Sequence, residues 1–191
     1  WGWIRNQGRD PAELPIMIEA AAMWRQMAKD IPEDIGLKQT GVVYLADKVE
    51  GIERFENWLP YAKDHGLDTK VLTSKETADL IPNASVTWAG ALWTASDMRA
   101  EPWVALPALA RAAVRDGVTI IESCAVRALD ISGGVVTGVE TELGRIKAPE
   151  VVLAGGAWSQ LFLRKHGLSI PQLSVRATVA ATDPLPEVFA G

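Results

Sequence analysis

Cysteine and histidine are almost missing from this chain of 191 residues, which has one of the first and two of the second. Cys124 alone closes no intrachain disulfide and builds no thiolate zinc site. His65 and His166 lie far apart in sequence and predict no histidine metal centre. A lone cysteine fits a reducing compartment, and the sequence reads as cytoplasmic. Positive charge is also short: 19 Lys and Arg stand against 24 Asp and Glu, for a net charge of -5 and a pI of about 5.1. The basic residues are scattered, so no positive field attracts nucleic acid or anionic lipid. No apolar run approaches the ~20 residues that span a bilayer, and no signal-peptide pattern opens the chain. An initiator methionine is missing too. The chain begins Trp1-Gly2-Trp3 and stops at Phe189-Ala190-Gly191, and both ends read as internal to a longer protein.

What is present is a globular balance. Hydrophobic residues make up 48% and charged residues 23%, enough apolar surface for a core and too little charge for a disordered tail. The length suits one domain or parts of two.

Periodicity predicts a helix over Leu14–Asp30, with Ile16, Ala20, Trp24 and Met27 inward, Pro15 in its first turn and Pro32 beyond its end. Gly41–Leu45 reads as a strand. A second helix is expected from Lys48 to Lys63, with Ile52, Phe55, Trp58 or Leu59, and Ala62 on one face and Gly66 as its stop. Thr69–Leu72 and Trp88–Thr94 read as strands around a short helix that opens near Ser74 and closes at Pro82. A third long helix spans Pro102–Asp116, with Trp103, Leu106, Ala110 and Ala113 inward; Pro107 argues for a kink or a later start. Thr119–Glu122 is expected as a strand. A meander follows, with a Gly133-Gly134 hairpin and a second turn at Leu143-Gly144. Val151–Leu153 reads as a buried parallel strand, running through Ala154-Gly155-Gly156-Ala157-Trp158 into a helix over Ser159–His166. Val175–Ala181 reads as a last strand. This order predicts an α/β or α+β chain rather than a bundle or a sandwich.

Few residues stand out chemically. The double glycine after the 151–153 run either serves a tight strand-to-helix turn or lets backbone approach a ligand at the end of a strand. Arg5, beside Trp1 and Trp3, is either a solvated arginine or a clamp for a substrate carboxylate. Asp97 and Glu101 read as acidic partners for the dipole of the following helix. His65 and His166 read as helix C-terminal residues. No Ser–His–Asp set, phosphate-binding loop or paired metal motif occurs.

Several segments, in order, resemble the FAD-dependent oxidoreductases of the D-amino-acid oxidase type, closest in layout to sarcosine oxidase and glycine oxidase. They are Ile4-Arg5-Asn6-Gln7-Gly8-Arg9, Gly41–Leu45, Ala91–Pro102, Cys124-Ala125-Val126 and Leu153-Ala154-Gly155-Gly156-Ala157-Trp158-Ser159. The resemblance runs over essentially the whole chain. The family's Gly-x-Gly-x-x-Gly fingerprint does not occur in these residues, nor does the closing C-terminal segment of the family. In relatives with covalent FAD the attaching cysteine lies in that segment, and Cys124 does not match it.

The resemblance implies a mixed α/β (α+β) fold: a partial FAD-binding, Rossmann-like domain with a β-meander, interleaved with a substrate domain on a mixed or antiparallel sheet. Residues 1–35 and 97–171 would belong to the first, 36–96 and 172–191 to the second. The parent would oxidise the C–N bond of an amino acid or secondary amine, with FAD as cofactor and a small-molecule amine as partner. Arg5 would bind substrate, with Arg9 as a substitute. Val126, Ala154, Gly155, Gly156 and Trp158 would lie against the dinucleotide. Two alternatives stay open: a non-catalytic scaffold of the same fold, and a flavin-independent dinucleotide-binding module. Oligomeric state and electron acceptor are not readable.

Overall fold

The computed structural model describes residues 2–178 and Asp183. They form two compact units, residues 2–118 and 119–183.

In chain order the first unit carries β1 (Trp3–Ile4), α1 (Leu14–Asp30), β2 (Leu37–Gln39), β3 (Val42–Ala46) and α2 (Val49–Asp64). Then come β4 (Lys70–Thr73), α3 (Ser74–Leu80), β5 (Gly90–Thr94), β6 (Met98–Ala100) and α4 (Pro102–Arg115). Two antiparallel sheets result, ordered β3-β5-β4 and β1-β6-β2.

The helices form for local reasons. Asp10 caps a single 3-10 turn by accepting from the Ala12 N–H at 2.9 Å, and α1 continues from it. Ile31 is already extended (φ -88°, ψ 120°), as the residue before a proline should be. α3 opens on a capping box between Thr73 and Glu76, one residue before the expected start. α2 lays Ile52, Phe55, Trp58, Leu59 and the buried Ala62 on one face, as its periodicity predicts.

Two helices turn differently from expectation. In α1 the buried positions are Leu14 and Ala21, while Ile16 is 62% exposed. In α4 they are Ala105 and Ala108, while Trp103 and Leu106 are 88% and 66% exposed. In α4 the stripe that faces inward is the one with small side chains, which lets the backbone come close. Pro107 neither delays nor interrupts α4. The β1-β6-β2 sheet was not expected: its strands of two or three residues are too short to show a period.

The second unit is a meander of β7 (Val126–Ser132), β8 (Val135–Thr141) and β9 (Gly144–Lys147), followed by a 3-10 turn over Gly156–Trp158 and α5 (Ser159–Arg164). The hairpin turns at Gly133-Gly134 as expected. Thr119–Glu122 forms no strand. Neither does Val151–Leu153, whose residues are 37%, 90% and 38% exposed. A buried strand needs ladder partners, and among the described residues none pairs with this segment. Residues 175–178 form no strand, and the rest of that expected element lies outside the described residues. The fold class is nevertheless the expected mixture of helices and small antiparallel sheets. No helix of the described residues is long and apolar enough to cross a membrane.

Candidate functional site

Arg5 leaves the end of β1, where Trp3 and Ile4 pair with Arg99 and Met98 of β6. Its Nη1 donates to the Gln7 carbonyl at 2.9 Å and to the Tyr44 hydroxyl. The guanidinium carbon lies 5.3 Å from the Trp3 ring centroid and 5.5 Å from that of Tyr44, within range of cation–π attraction on both sides. Nε and Nη2 take no partner among the described residues, and no carboxylate is paired with the group. Burial, and after it the nearby Arg9, pulls the Arg5 pKa below its ordinary value; Asp97 and Glu13 oppose this. A carboxylate arriving there would relieve the unpaired charge. Arg9, the substitute, is already paired with Glu13 at 3.7 Å. The two aromatic neighbours of Arg5 both wall a cavity of about 330 Å³, together with Trp93 and Met98. Tyr44 also borders a second cleft of about 560 Å³, lined by Phe55, Trp58 and Arg54 of α2.

The turn after Arg5 is held from the sheet. The Asp97 carboxylate, between β5 and β6, accepts from the N–H groups of Asn6 (2.8 Å) and Gln7 (3.0 Å). The Gln7 side-chain carbonyl accepts from the Thr94 hydroxyl at 2.8 Å, and Thr94 meets Thr69 at 2.7 Å. Gln7, Thr94 and Asp97 are all buried. Burial raises the Asp97 pKa, and the two backbone N–H groups work against that shift. Asp97 therefore does not serve the α4 dipole. Glu101 does cap that helix, accepting weakly from the Trp103 N–H at 3.4 Å. Gly8 closes the turn at φ +65°, where a Cβ would stand 2.7 Å from the Tyr44 ring.

In the second unit, four of the five residues expected at the dinucleotide come together. Val126, Ala154, Gly155 and Trp158 line one apolar cavity of about 360 Å³, with Leu153 and Phe162. Gly156 does not line it. The backbone N–H groups of residues 151–155 take no hydrogen-bond partner among the described residues. Gly155 has an ordinary backbone (φ -79°), so no conformational demand explains it, whereas Gly156 sits at φ +54° with open space around it. Backbone N–H groups without partners beside an apolar lining are compatible with a flat aromatic group carrying a polar chain, so these residues fit the FAD assignment.

The remaining candidates are structural. His65 Nδ1 lies 2.9 Å from the Tyr61 carbonyl at the end of α2. His166 Nε2 accepts from the Leu129 N–H at 3.2 Å, which ties α5 to the meander rather than serving a helix end. The sequence reading missed Tyr44, Thr94 and Gln7, and misassigned Asp97. Only the two polar residues directly after Arg5 hinted that this turn is built.

Residues 1–190 match a protein-family model described as FAD dependent oxidoreductase. Mouse mitochondrial sarcosine dehydrogenase is 29% identical over 179 residues, covering 88% of this chain and 20% of that protein. Sarcosine oxidase subunit beta of an Arthrobacter species is 28% identical over 162 residues, covering 82% of this chain and 40% of that one. Among solved structures, L-amino acid deaminase from Proteus myxofaciens in complex with anthranilate superposes with a TM-score of 0.83 at 30% identity, over 89% of this chain and 39% of that chain. The chain thus spans from a fifth to two fifths of the length of these relatives. The family match over nearly every residue, together with the shared fold, establishes that this chain belongs to the FAD-dependent oxidoreductases of the D-amino-acid oxidase family.

Proposed function

We propose that this chain is part of an enzyme that oxidises the C–N bond of an amino acid or secondary amine, giving an imine that water then hydrolyses. FAD, when bound, supplies the acceptor for the hydride equivalent. The observation that carries the reading is the Arg5 guanidinium: it lies against two aromatic rings that wall a cavity, and among the described residues its Nε and Nη2 have no hydrogen-bond partner and it has no carboxylate partner. We assign it to the substrate carboxylate, which it would hold in a fixed orientation through charge-assisted hydrogen bonds. The apolar faces of Tyr44 and Trp93 on that cavity would lower the local polarity and strengthen that pairing.

We assign Val126, Ala154, Gly155 and Trp158 to the dinucleotide, with open backbone N–H groups at 151–155 as donors and Val126 and Trp158 as apolar cover. Gly156 would shape the turn that presents them. The interleaved arrangement, with residues 1–35 and 97–171 on the FAD side and 36–96 and 172–191 on the substrate side, remains our assignment.

The test uses the full-length holoenzyme and a panel of glycine, sarcosine, dimethylglycine and the D- and L-amino acids. Bleaching of the flavin absorbance by at least one member is expected, and bleaching by none refutes the reading. With the fastest substrate, Arg5→Met is expected to lower kcat/KM about ten- to a hundredfold at normal flavin content. An unchanged KM would remove Arg5 from the carboxylate site.

A further inference from the structure

We propose that Asp97 is a positioning residue that aims Arg5 at the substrate carboxylate; the proposal rests on the carboxylate role just given to Arg5. Each Asp97 carboxylate oxygen accepts from one of the consecutive N–H groups of Asn6 and Gln7, across 91 and 90 residues of sequence. Gln7 is also the residue whose carbonyl takes the Arg5 Nη1. One short chain of bonds therefore runs from the Asp97 carboxylate to the Gln7 N–H and, one residue's backbone further, from the Gln7 carbonyl to the guanidinium. Asp97 is itself pinned, because its own carbonyl accepts from the Gly41 N–H at 2.9 Å, just ahead of β3 and Tyr44. The same carboxylate-bearing turn thus fixes both the peptide beside Arg5 and the start of the strand that carries the hydroxyl partner of Arg5.

The geometry is that of an anion cradled by successive backbone N–H groups, with the anion supplied by the protein. Only a carboxylate offers two acceptors at that spacing. An amide offers one oxygen, and its NH2 would face a backbone N–H, donor against donor. In Asp97→Asn the turn at residues 6–7 loses one of its two N–H anchors and shifts, and the Gln7 carbonyl that holds the guanidinium shifts with it. The Asp97 side chain is buried and bonded to backbone N–H groups, so the proposal routes its effect on substrate binding through Arg5.

The experiment is a double-mutant cycle in the full-length holoenzyme, with the fastest substrate from the panel above. Asp97→Asn alone is expected to raise KM about tenfold and to change kcat less, with flavin content retained. In an Arg5→Met background the same substitution is expected to change KM less than about twofold, because the group it aimed is gone. A full tenfold effect in that background would assign Asp97 to general structure and overturn the proposal, as would an unchanged KM for Asp97→Asn alone. If Asp97→Asn does not fold, Asp97→Ser, which keeps one acceptor, takes its place in the cycle. Failure of both to fold would also overturn it. An unchanged KM in Arg5→Met alone would refute the earlier reading of Arg5, a separate outcome.

Discussion

Tyr44 holds Arg5 in two ways: its hydroxyl accepts from Nη1, and its ring centroid lies 5.5 Å from the guanidinium carbon. Tyr44→Phe keeps the ring and removes the acceptor. KM for the amino-acid substrate is expected to rise roughly threefold to tenfold, less than in Arg5→Met, since the guanidinium keeps its charge, its bond to the Gln7 carbonyl and its contact with the ring. Arg5→Lys keeps the charge and loses the planar fork, so its kcat/KM should fall between wild type and Arg5→Met. Steady-state kinetics on the three variants decide this. A Lys variant no better than Met would show that charge alone contributes little.

Gly155 and Gly156 should separate flavin binding from folding. Gly156 lies at φ +54°, so Gly156→Ala is expected to cost about 1–2 kcal/mol of stability with little effect on the flavin content of the folded protein. Gly155 has no such demand; a Cβ there would meet Ser159 Oγ at 3.3 Å on the wall of the apolar cavity. Gly155→Ala should therefore lower flavin content more than it lowers the melting temperature. Absorbance ratios and thermal melts on the full-length protein read both. Full flavin occupancy in the Gly155 variant would confine both glycines to the turn.

Residues 1–191 alone should bind FAD weakly. The Gly-x-Gly-x-x-Gly segment that seats a pyrophosphate on a helix N-terminus does not occur among them. Titration followed by flavin fluorescence should show no stoichiometric quenching at micromolar protein, and tight binding would mean that the 151–158 cavity is sufficient.

Glu33 should contribute an acid-sensitive part of the stability. Arg115 grips its carboxylate with two bonds of 2.6 and 2.8 Å, and Arg111 lies 3.6 Å away. The hydrogen bond from Arg115 leads the shift that takes its pKa from the ordinary 4.5 down to about 2. A pKa depressed in the folded state gives stability that is present above pH 4.5 and lost as the pH falls towards 2. Denaturation midpoints of Glu33→Gln should therefore show a shallower acid limb than wild type in that window. Parallel limbs would show that solvent screens the pair completely. Asp97 acts in the opposite sense, since a raised carboxylate pKa favours the folded state as pH falls, so the two contributions do not mimic each other.

The long-period elements were legible in the sequence. α1 has the predicted bounds, and α2 lies within a residue of its expected ends with the expected inward face. What the sequence concealed were relations at long range. Asp97 stands just before a helix, and local rules assign such a residue to the dipole; its partners lie some ninety positions earlier. Tyr44 looked like one more strand residue because its hydroxyl partner is in a different segment. Val151–Leu153 was misread because three apolar residues in a row fit a buried strand, yet apolar character alone does not supply a neighbour to pair with. The cavity around Val126, Ala154, Gly155 and Trp158 was anticipated through family resemblance, not through any period in the residues.

The antiparallel pairing of β1 with β6 also sets an order of events during synthesis. Residues 3–4 find their strand partner only at 98–99, and the Arg5 turn its carboxylate only at 97. Closing a loop of that length costs entropy that must be met before the contacts form. The Arg5 turn must therefore wait during synthesis until about a hundred residues have followed it, while α1 and α2, whose bonds are local, are already able to form. A nascent chain stalled before Asp97 should keep residues 2–10 open to protease, and release of a chain that has completed β6 should protect them.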